Sequence, residues 1–349
     1  MMAGHCLLIQ YNIGWREFVG LLGLLFVLVS CPADAATDGP GNPEKTDMVV
    51  AYPQPSGAST PLWVAYETGR FKKYGLNATL QVLNPQAAVQ AVVSGSADFA
   101  GVGVDLLNAR LQGARLRVLV RTLERFVFQT WGAKEITNVQ QLKGKIVAVS
   151  TPRSLIEIAT REALKKIGLT ADKDVKFLPA RTVDGILTAV LAGQAAAGTL
   201  SAPTTLKARD GGLNLLMDIG QMNIPGLHAA YGATEKYIKE NPNTIYAFLQ
   251  ALAEGLVLTT RDPATAKRAI AKYTRIDDPR MVDEAYEAFT QYWAPSPAVR
   301  AEVVQAWFGY LDEKEFPQAK TADPKEFYDN SFVDNLKKWG FFQKIGWGG

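Results

Sequence analysis

The feature that most constrains this chain is a strand, a polar loop and a helix start that occur twice in the same order. Residues 48–60 predict an apolar strand with a polar loop, and Pro61 suits the first turn of a helix. Residues 145–154 repeat this pattern before a helix from Leu155. Serines and threonines at such helix starts can cap the first turn, where free N–H groups favour anions.

The repeat extends beyond these two loops. Residues 71–76 and 164–169 both contain two lysines followed by a glycine that fits the left-handed end of a helix. A helix end, a turn and a strand of small residues occur at 92–100 and again at 190–198. The sequence therefore predicts two related α/β lobes, with a cleft between them that suits a small ligand.

Length and composition agree with a folded protein of two lobes. The chain has 349 residues, of which 48% are hydrophobic, so each lobe can bury a core. Lysine and arginine number 37 against 34 aspartate and glutamate, and no basic block stands out. This balance predicts that the protein has no nucleic-acid partner.

The N-terminal residues 1–36 predict a secretory signal peptide. Arg16 precedes the apolar run 18–30, and a small-x-small cleavage site follows at residues 33–35. The apolar run is too short to span a bilayer comfortably, which favours export to the periplasm with cleavage near residue 35 or 36. Alternatively, residues 28–31 resemble a lipobox, in which Cys31 would be lipidated and anchor the protein.

Little in the sequence favours catalysis. Cleavage near residue 35 removes both Cys6 and Cys31, so disulfides, thiolate metal sites and a cysteine nucleophile are excluded from the mature chain. His228 is then the remaining histidine, and no serine lies in a Gly-x-Ser-x-Gly elbow. We expect no metal, no cofactor and no enzymatic activity.

Strand and helix patterns continue through the rest of the chain. Strands are predicted at 117–121 and 126–131, with residues 122–125 between them as a solvated turn or a loop on the cleft rim. Prolines stand at or near the starts of most later helical segments. These predicted helices are 244–261, 263–274, 279–293, 297–310 and 324–339.

The candidate ligand-binding residues lie at helix starts and strand ends that would face the cleft. They are Gln54, Ser56, Ser59, Thr60, Gly103, Val104, Asp105, Thr151, Arg153, Ser154, Ser201, Pro203, His228 and Tyr231. We expect an anionic ligand, held by the hydroxyl groups of both loops and by Arg153, which could add a bidentate hydrogen bond. Alternatively, Arg153 is a solvated arginine, and Asp105 or Tyr231 would serve a cation or a neutral ligand.

The glycines around residue 103 have a separate interpretation. Gly101 and Gly103 follow a strand, but Leu106 stands where a dinucleotide-binding motif has its third glycine. We expect these glycines to let a ligand or a helix approach the backbone closely.

Several stretches resemble the substrate-binding proteins of bacterial ABC importers for sulfonates, taurine and nitrate, which are related to pyrimidine-precursor proteins of thiamine metabolism. The similar stretches are 50–52 with its loop, 67–76, 93–100, 142–149 and 239–242. They follow the family's order within residues 47–273. The chain departs from the usual pattern at Arg153, where small residues are common, and at Ala196, which replaces an acidic residue.

The resemblance implies an α/β fold of the periplasmic binding protein type II, with two lobes, a ligand cleft and a C-terminal helical extension. The chain would cross between the lobes near Gly132 and near His228. Lobe one would then comprise residues 47–132 and 229–349, with the C-terminal helices, and lobe two residues 133–228.

The implied function is that of a monomeric periplasmic solute-binding protein. It would capture a small anion of the sulfonate, nitrate or carboxylate type and deliver it to an ABC permease in the inner membrane. One alternative is a thiamine-pyrimidine-precursor-binding protein or a related biosynthetic enzyme of the same fold. The enzymes carry a cysteine-rich iron motif, which a mature chain without cysteine lacks. A periplasmic sensor would give the same sequence pattern.

Overall fold

The computed structural model of this chain describes residues 39–53, 56–294 and 296–347. The predicted signal peptide, including the possible lipidation site Cys31, lies outside the described residues, and so does Gln54. The described residues belong to one compact unit that spans Asp38–Gly349.

Apolar segments rich in valine, leucine and alanine form ten strands in the described residues. The strands are β1 Asp47–Tyr52, β2 Asn77–Val82, β3 Phe99–Ala100, β4 Leu116–Arg125, β5 Gln129–Gly132, β6 Ile146–Val149, β7 Lys176–Pro179, β8 Ala197–Leu200, β9 Asn214–Asp218 and β10 Pro225–Thr234.

The strands form two five-stranded sheets with the same arrangement. The first sheet has the order β2-β1-β3-β10-β4, and the second has the order β7-β6-β8-β5-β9. In each sheet the first three strands are parallel, and the last two run antiparallel to their neighbours. The predicted duplication of an α/β unit is therefore confirmed.

Fourteen α-helices surround the sheets in the described residues. They are α1 Thr60–Glu67, α2 Arg70–Lys73, α3 Pro85–Ser94, α4 Val104–Leu111, α5 Leu155–Lys166, α6 Val183–Leu191, α7 Thr204–Asp210, α8 Glu235–Glu240, α9 Pro242–Arg261, α10 Pro263–Thr274, α11 Pro279–Thr290, α12 Ala301–Tyr310, α13 Ser331–Lys338 and α14 Phe341–Ile345. Short 3-10 turns add to these helices. None of the described helices is long and apolar enough to cross a bilayer.

Several helix ends that were predicted from neighbouring residues are confirmed. Helix α5 starts at Leu155, and α10 has the predicted bounds, Pro263–Thr274. The helix-ending glycines Gly75 and Gly168 adopt φ angles of 78° and 82°, in the left-handed region where a Cβ atom is unfavourable.

We name the two halves of the fold by their sheets. Lobe one is the first sheet with the helices packed on it, including α1, α3, α4 and the C-terminal helices from α9 onward. Lobe two is the second sheet with α5, α6 and α7. The C-terminal helices share a core with the first sheet, where Phe248 stacks on Phe99 with ring centroids 3.9 Å apart.

Both crossings between the lobes lie at other residues than predicted. β5 already belongs to the second sheet, so the first crossing is residues 126–128 rather than the region of Gly132. β10 begins at Pro225 and pairs there with Arg125 of β4, so the second crossing lies before Pro225 and not at His228. Strand composition alone could not locate the change of sheet, because it depends on which distant strand each segment pairs with.

Two predicted elements differ in kind from the structure, and the helix predicted at 297–310 begins later, at Ala301. Residues 122–125 are not a solvated turn but the end of β4, where Thr122 and Leu123 are buried against β10. The predicted helix 324–339 divides into a 3-10 turn Pro324–Phe327 and α13, because the Asp329 N–H donates to the Val118 carbonyl of β4. Both differences come from pairing with a remote strand.

Candidate ligand-binding cleft

A cavity of about 1460 Å³ lies between the lobes. Its walls include residues that directly follow β1, β2 and β3 of the first sheet, such as Pro53, Leu83 and Gly101. Ser150 and Ser201 follow β6 and β8 of the second sheet and also line it. The carboxyl ends of parallel strands are where α/β proteins bind ligands, so this cavity is the candidate site.

Most of the sequence-predicted site residues line this cavity. Those that do are Ser56, Ser59, Val104, Asp105, Thr151, Arg153, Ser154, Ser201, His228 and Tyr231. Thr60, Gly103 and Pro203 are not among the lining residues.

The three residues outside the cavity wall lie in the surrounding backbone. The Thr60 hydroxyl is buried and donates to the Gly57 carbonyl at 2.7 Å, so it closes a turn of its own chain. Pro203 immediately precedes α7. A Cβ atom on Gly103 would lie 2.2 Å from the Leu227 carbonyl oxygen, so this glycine permits the close approach of β10. We expected a ligand or a helix to lie close to the backbone at Gly103, but in the structure strand β10 lies there.

The helix start of lobe two is capped as predicted, but a side chain of the protein fills part of it. The Ser154 hydroxyl accepts from the Glu157 N–H at 3.2 Å and from the Ser150 hydroxyl at 2.7 Å. The buried Glu157 carboxylate accepts the Arg153 N–H. The Glu157 carboxylate thus accepts from the Arg153 N–H, one of the donors that we expected to be free for a ligand anion.

Arg153 lies on the rim of the cavity. Its side chain is 69% exposed and forms an ion pair of 2.6 Å with Glu315, which follows α12. This pair joins lobe two to the C-terminal extension of lobe one. The Arg153 guanidinium is therefore engaged by the protein rather than aimed freely into the cavity.

Acidic groups outnumber basic groups on the described cavity wall. The carboxylates are Asp105, Glu157, Asp172, Asp312 and Glu315, and the guanidinium groups are those of Arg153 and Arg161. Arg161 pairs with Glu157 and, at 2.5 Å, with Asp172. Both guanidinium groups are thus already neutralised within the cavity.

Asp105 is the carboxylate of the wall with the least support. It stands second in α4 and is half-buried, and within the described residues no ion pair or hydrogen bond joins its carboxylate to another residue. Burial raises the pKa of Asp105 to about 6, although its own N–H opposes this shift. The side chain therefore faces the cavity as an acid without a basic partner in the described part of the chain.

His228 presents a neutral ring to the same cavity. Its Nδ1 accepts the Val127 N–H at 3.2 Å, which leaves the proton of the neutral ring on Nε2. The ring stacks on Phe128 with centroids 5.0 Å apart and meets the edge of Phe289 at 5.9 Å. Burial lowers the pKa of His228 to about 4, so the ring is an uncharged donor at neutral pH.

Several cavity residues were missed by the sequence interpretation. They include Glu157, Arg161, Phe128, Phe289, Tyr310 and Glu315. The spacing of Ser154 and Glu157 is that of a capping box, a local signal that could have placed this carboxylate at the helix start. Tyr310 and Glu315 come from the distant C-terminal extension, where nothing in the local sequence points to the cleft.

Two lobes of like strand order, joined by two crossings around a cleft, define the periplasmic binding protein fold. Solved structures share this fold. One is the periplasmic aliphatic sulphonate binding protein SsuA from Escherichia coli, at 19% identity and a TM-score of 0.66, covering 82% of this chain and 92% of that one. Residues 56–266 match the family model described as NMT1/THI5 like, and the chain belongs to this family.

Two further structures extend the comparison. The alkanesulfonate-binding protein SsuA from Xanthomonas axonopodis pv. citri, bound to MOPS, has 19% identity and a TM-score of 0.63, covering 81% of this chain and 96% of its own. The periplasmic nitrate-binding protein NrtA from Synechocystis has 15% identity and a TM-score of 0.64, covering 86% of this chain and 89% of its own. A comparison with curated proteins found no match. At these identities the likeness establishes the fold.

Proposed function

We propose that this protein is the periplasmic solute-binding component of an ABC importer, which captures a small solute and delivers it to a permease in the inner membrane. The observation that carries the proposal is the cavity, whose wall receives residues from both lobes. The sulphonate-binding and nitrate-binding proteins named above share the fold and support the same role. The protein would act as an exported monomer.

The two crossings provide the hinge for such a role. Residues 126–128 and the segment before Pro225 connect the lobes. The two connecting segments lie side by side, because the end of β4 pairs with the start of β10. A solute that contacts both lobes gains its full set of contacts only when the cleft is closed, so its binding shifts the protein towards the closed form.

The C-terminal extension also contacts lobe two, at a place other than the Arg153–Glu315 pair. Glu284 of α11 accepts from the Thr205 hydroxyl at 2.7 Å and pairs with Arg209 at 3.1 Å, both on α7. The Arg209 end of this ion pair is exposed, and an ion pair that solvent screens contributes roughly 0–1 kcal/mol. These contacts can therefore steady a closed arrangement without preventing it from opening.

An anionic head group of the sulfonate, nitrate or carboxylate type would be held by hydroxyl groups of both lobes. Ser56 and Ser59 line the cavity from lobe one, and Thr151 and Ser154 line it from lobe two. The start of α5 adds a favourable helix-dipole interaction of about 0.3–1 kcal/mol, part of which Glu157 already uses. The excess of carboxylates on the wall disfavours a solute that carries negative charge alone.

Binding of the solute should make the protein more compact. We expect mass spectrometry of the purified protein to identify a bound solute, and calorimetry with nitrate, ethanesulfonate, propionate and MOPS to find binders in this range of chemistry. X-ray scattering of the protein saturated with a confirmed solute should then give a smaller radius of gyration than the solute-free protein. An unchanged radius at saturation would contradict a clamp of two lobes.

Arg153 and Glu315 should affect affinity as a pair. Because the pair is exposed, Arg153→Ala and Glu315→Gln are each expected to raise the Kd at most about fivefold, or roughly 1 kcal/mol. The double variant should lose no more than either single variant, as calorimetry can show. A loss of tenfold or more for Arg153→Ala alone would instead mean that its guanidinium contacts the solute.

A further inference from the structure

We infer that the solute of this cleft carries a protonated amine or another N–H donor and that the Asp105 carboxylate accepts from it. The inference rests on the proposed function and narrows its substrate class. A simple anion such as nitrate offers Asp105 no hydrogen-bond donor. An aminosulfonate, an amino acid or an amine does.

The first argument is the distribution of charge in the cavity. Arg153 pairs with Glu315, and Arg161 pairs with Glu157 and Asp172, so neither guanidinium of the described wall is available to a ligand anion without breaking an ion pair. Asp105 has no such pair within the described residues. The charged group of the wall that lacks a partner is therefore a carboxylate, which favours a ligand with a positive charge or a hydrogen-bond donor.

The second argument is the cost of an unpaired carboxylate. Asp105 is half-buried in a cavity that Val89, Val102 and Val104 also line. A carboxylate in such a place loses hydration that nothing in the described wall replaces. A ligand N–H group would replace it with a charge-assisted hydrogen bond, which is roughly twice as strong as a neutral one. Within the described residues no hydrogen bond joins His228 to Asp105, and burial lowers the pKa of His228, so its ring brings no positive charge to the carboxylate at neutral pH.

A helix of lobe two that begins with the same two residues supplies an internal comparison. Helix α6 of lobe two also begins with valine and aspartate, so Asp184 has the same helix position as Asp105. Asp184 is 71% exposed and has Lys207 at 3.3 Å as its partner. The N-cap of α6 is Thr182, whose hydroxyl accepts the Gly185 N–H, whereas the Gly103 N-cap of α4 has no side chain. Both aspartates are the second residue of their helix, and only Asp105 lines the cavity.

The test uses pairs of compounds that differ in one nitrogen. Calorimetry on the full mature protein would compare 2-aminoethanesulfonate with ethanesulfonate and β-alanine with propionate. We expect the amine of at least one pair to bind at least tenfold more tightly than its partner. Asp105→Asn should remove this preference, and Asp184→Asn, the matched control, should keep it.

The outcomes separate this inference from the proposed function. If a compound without a donor nitrogen binds as tightly as its amine and compacts the protein, or if Asp105→Asn keeps the preference, the inference is wrong and the binding function stands. If neither these compounds nor a co-purified solute binds, the proposed function fails and the inference fails with it. Thermal unfolding of each variant confirms that it is folded before binding is measured.

Discussion

Replacing Gly103 by alanine should destabilise the protein by about 2–5 kcal/mol. Gly103 has φ 47° and ψ −110°, a backbone conformation that residues with a Cβ atom rarely adopt. The added methyl group would also lie 2.2 Å from the Leu227 carbonyl oxygen and 3.0 Å from that of His228. Both neighbours are backbone atoms of β10, so the strand itself would have to move. Urea denaturation of the two proteins measures the difference.

Gly113→Ala is the matched control for this prediction. Gly113 also has a positive φ, 98°, but no atom lies within 4 Å of the position its Cβ atom would take. We expect a loss of about 1–2 kcal/mol from backbone strain alone. If the two variants lost equal stability, the close approach of β10 to Gly103 would have no energetic importance.

Replacing Asp105 by asparagine should stabilise the solute-free protein by about 1–3 kcal/mol at pH 7.5. Burial raises the pKa of Asp105 from 3.8 to about 6, so its ionised form is held at a free-energy cost in the folded state. Between these two values the folded protein binds more protons than the unfolded chain. Its stability therefore falls as the pH rises from about 4 to about 6, and the full cost is present at pH 7.5.

The pH dependence identifies Asp105 as the source of this effect. The advantage of Asp105→Asn should shrink as the pH falls through 6 and vanish below about 4. The charged and titratable residues that share the cavity are Arg153, Glu157, Arg161, Asp172, His228, Tyr231, Tyr310, Asp312 and Glu315. His228, whose pKa is lowered to about 4, gives stability that is lost as the pH falls from 6.5, and it does so in both proteins.

Asp184→Asn is the control for the stability measurement as well. Asp184 is exposed at the same helix position, so its replacement should change the free energy of unfolding by less than about 0.5 kcal/mol. Urea denaturation at several pH values would compare the three proteins. A gain for Asp105→Asn that did not depend on pH would show that ionisation of this side chain is not its cause.

Together, the Asp105 experiments relate stability to binding. A substitution that stabilises the empty protein and weakens the selection of an amine would show that the free energy lost at Asp105 is recovered on binding. Residues that serve binding at the expense of stability are expected at functional sites. A stabilised variant with unchanged binding would separate the two properties.

The sequence predicted those parts of the fold that depend on near neighbours. Ser154 and Leu155 mark the start of α5 because a hydroxyl cap acts within three residues, and Gly168 marks its end through its own φ angle. The crossings were misplaced because Gln129–Gly132 could pair with either sheet on composition alone. Its partner β8 lies some seventy residues later, as the pairing of Gln129 with Leu200 shows.

The sequence predicted which loops line the candidate site better than it predicted the charge of that site. Both polar loops reach the cavity, since they follow parallel strands whose ends meet there. The free charge expected of Arg153 is taken by Glu315, which lies 162 residues away in the sequence. No local pattern reveals such a partner, so the charge of a cleft built from both lobes requires the three-dimensional structure.

The order of strands in the first sheet has a consequence for biogenesis. β4 is an edge strand whose partner in the sheet is β10, and Arg125 pairs with Pro225. Until that later segment has been synthesised, β4 has no strand to join, and lobe one lacks its last two strands. Such long-range pairing slows folding and leaves apolar surface open. A nascent chain in this state therefore exposes the unpaired edge of the first sheet until β10 has been made.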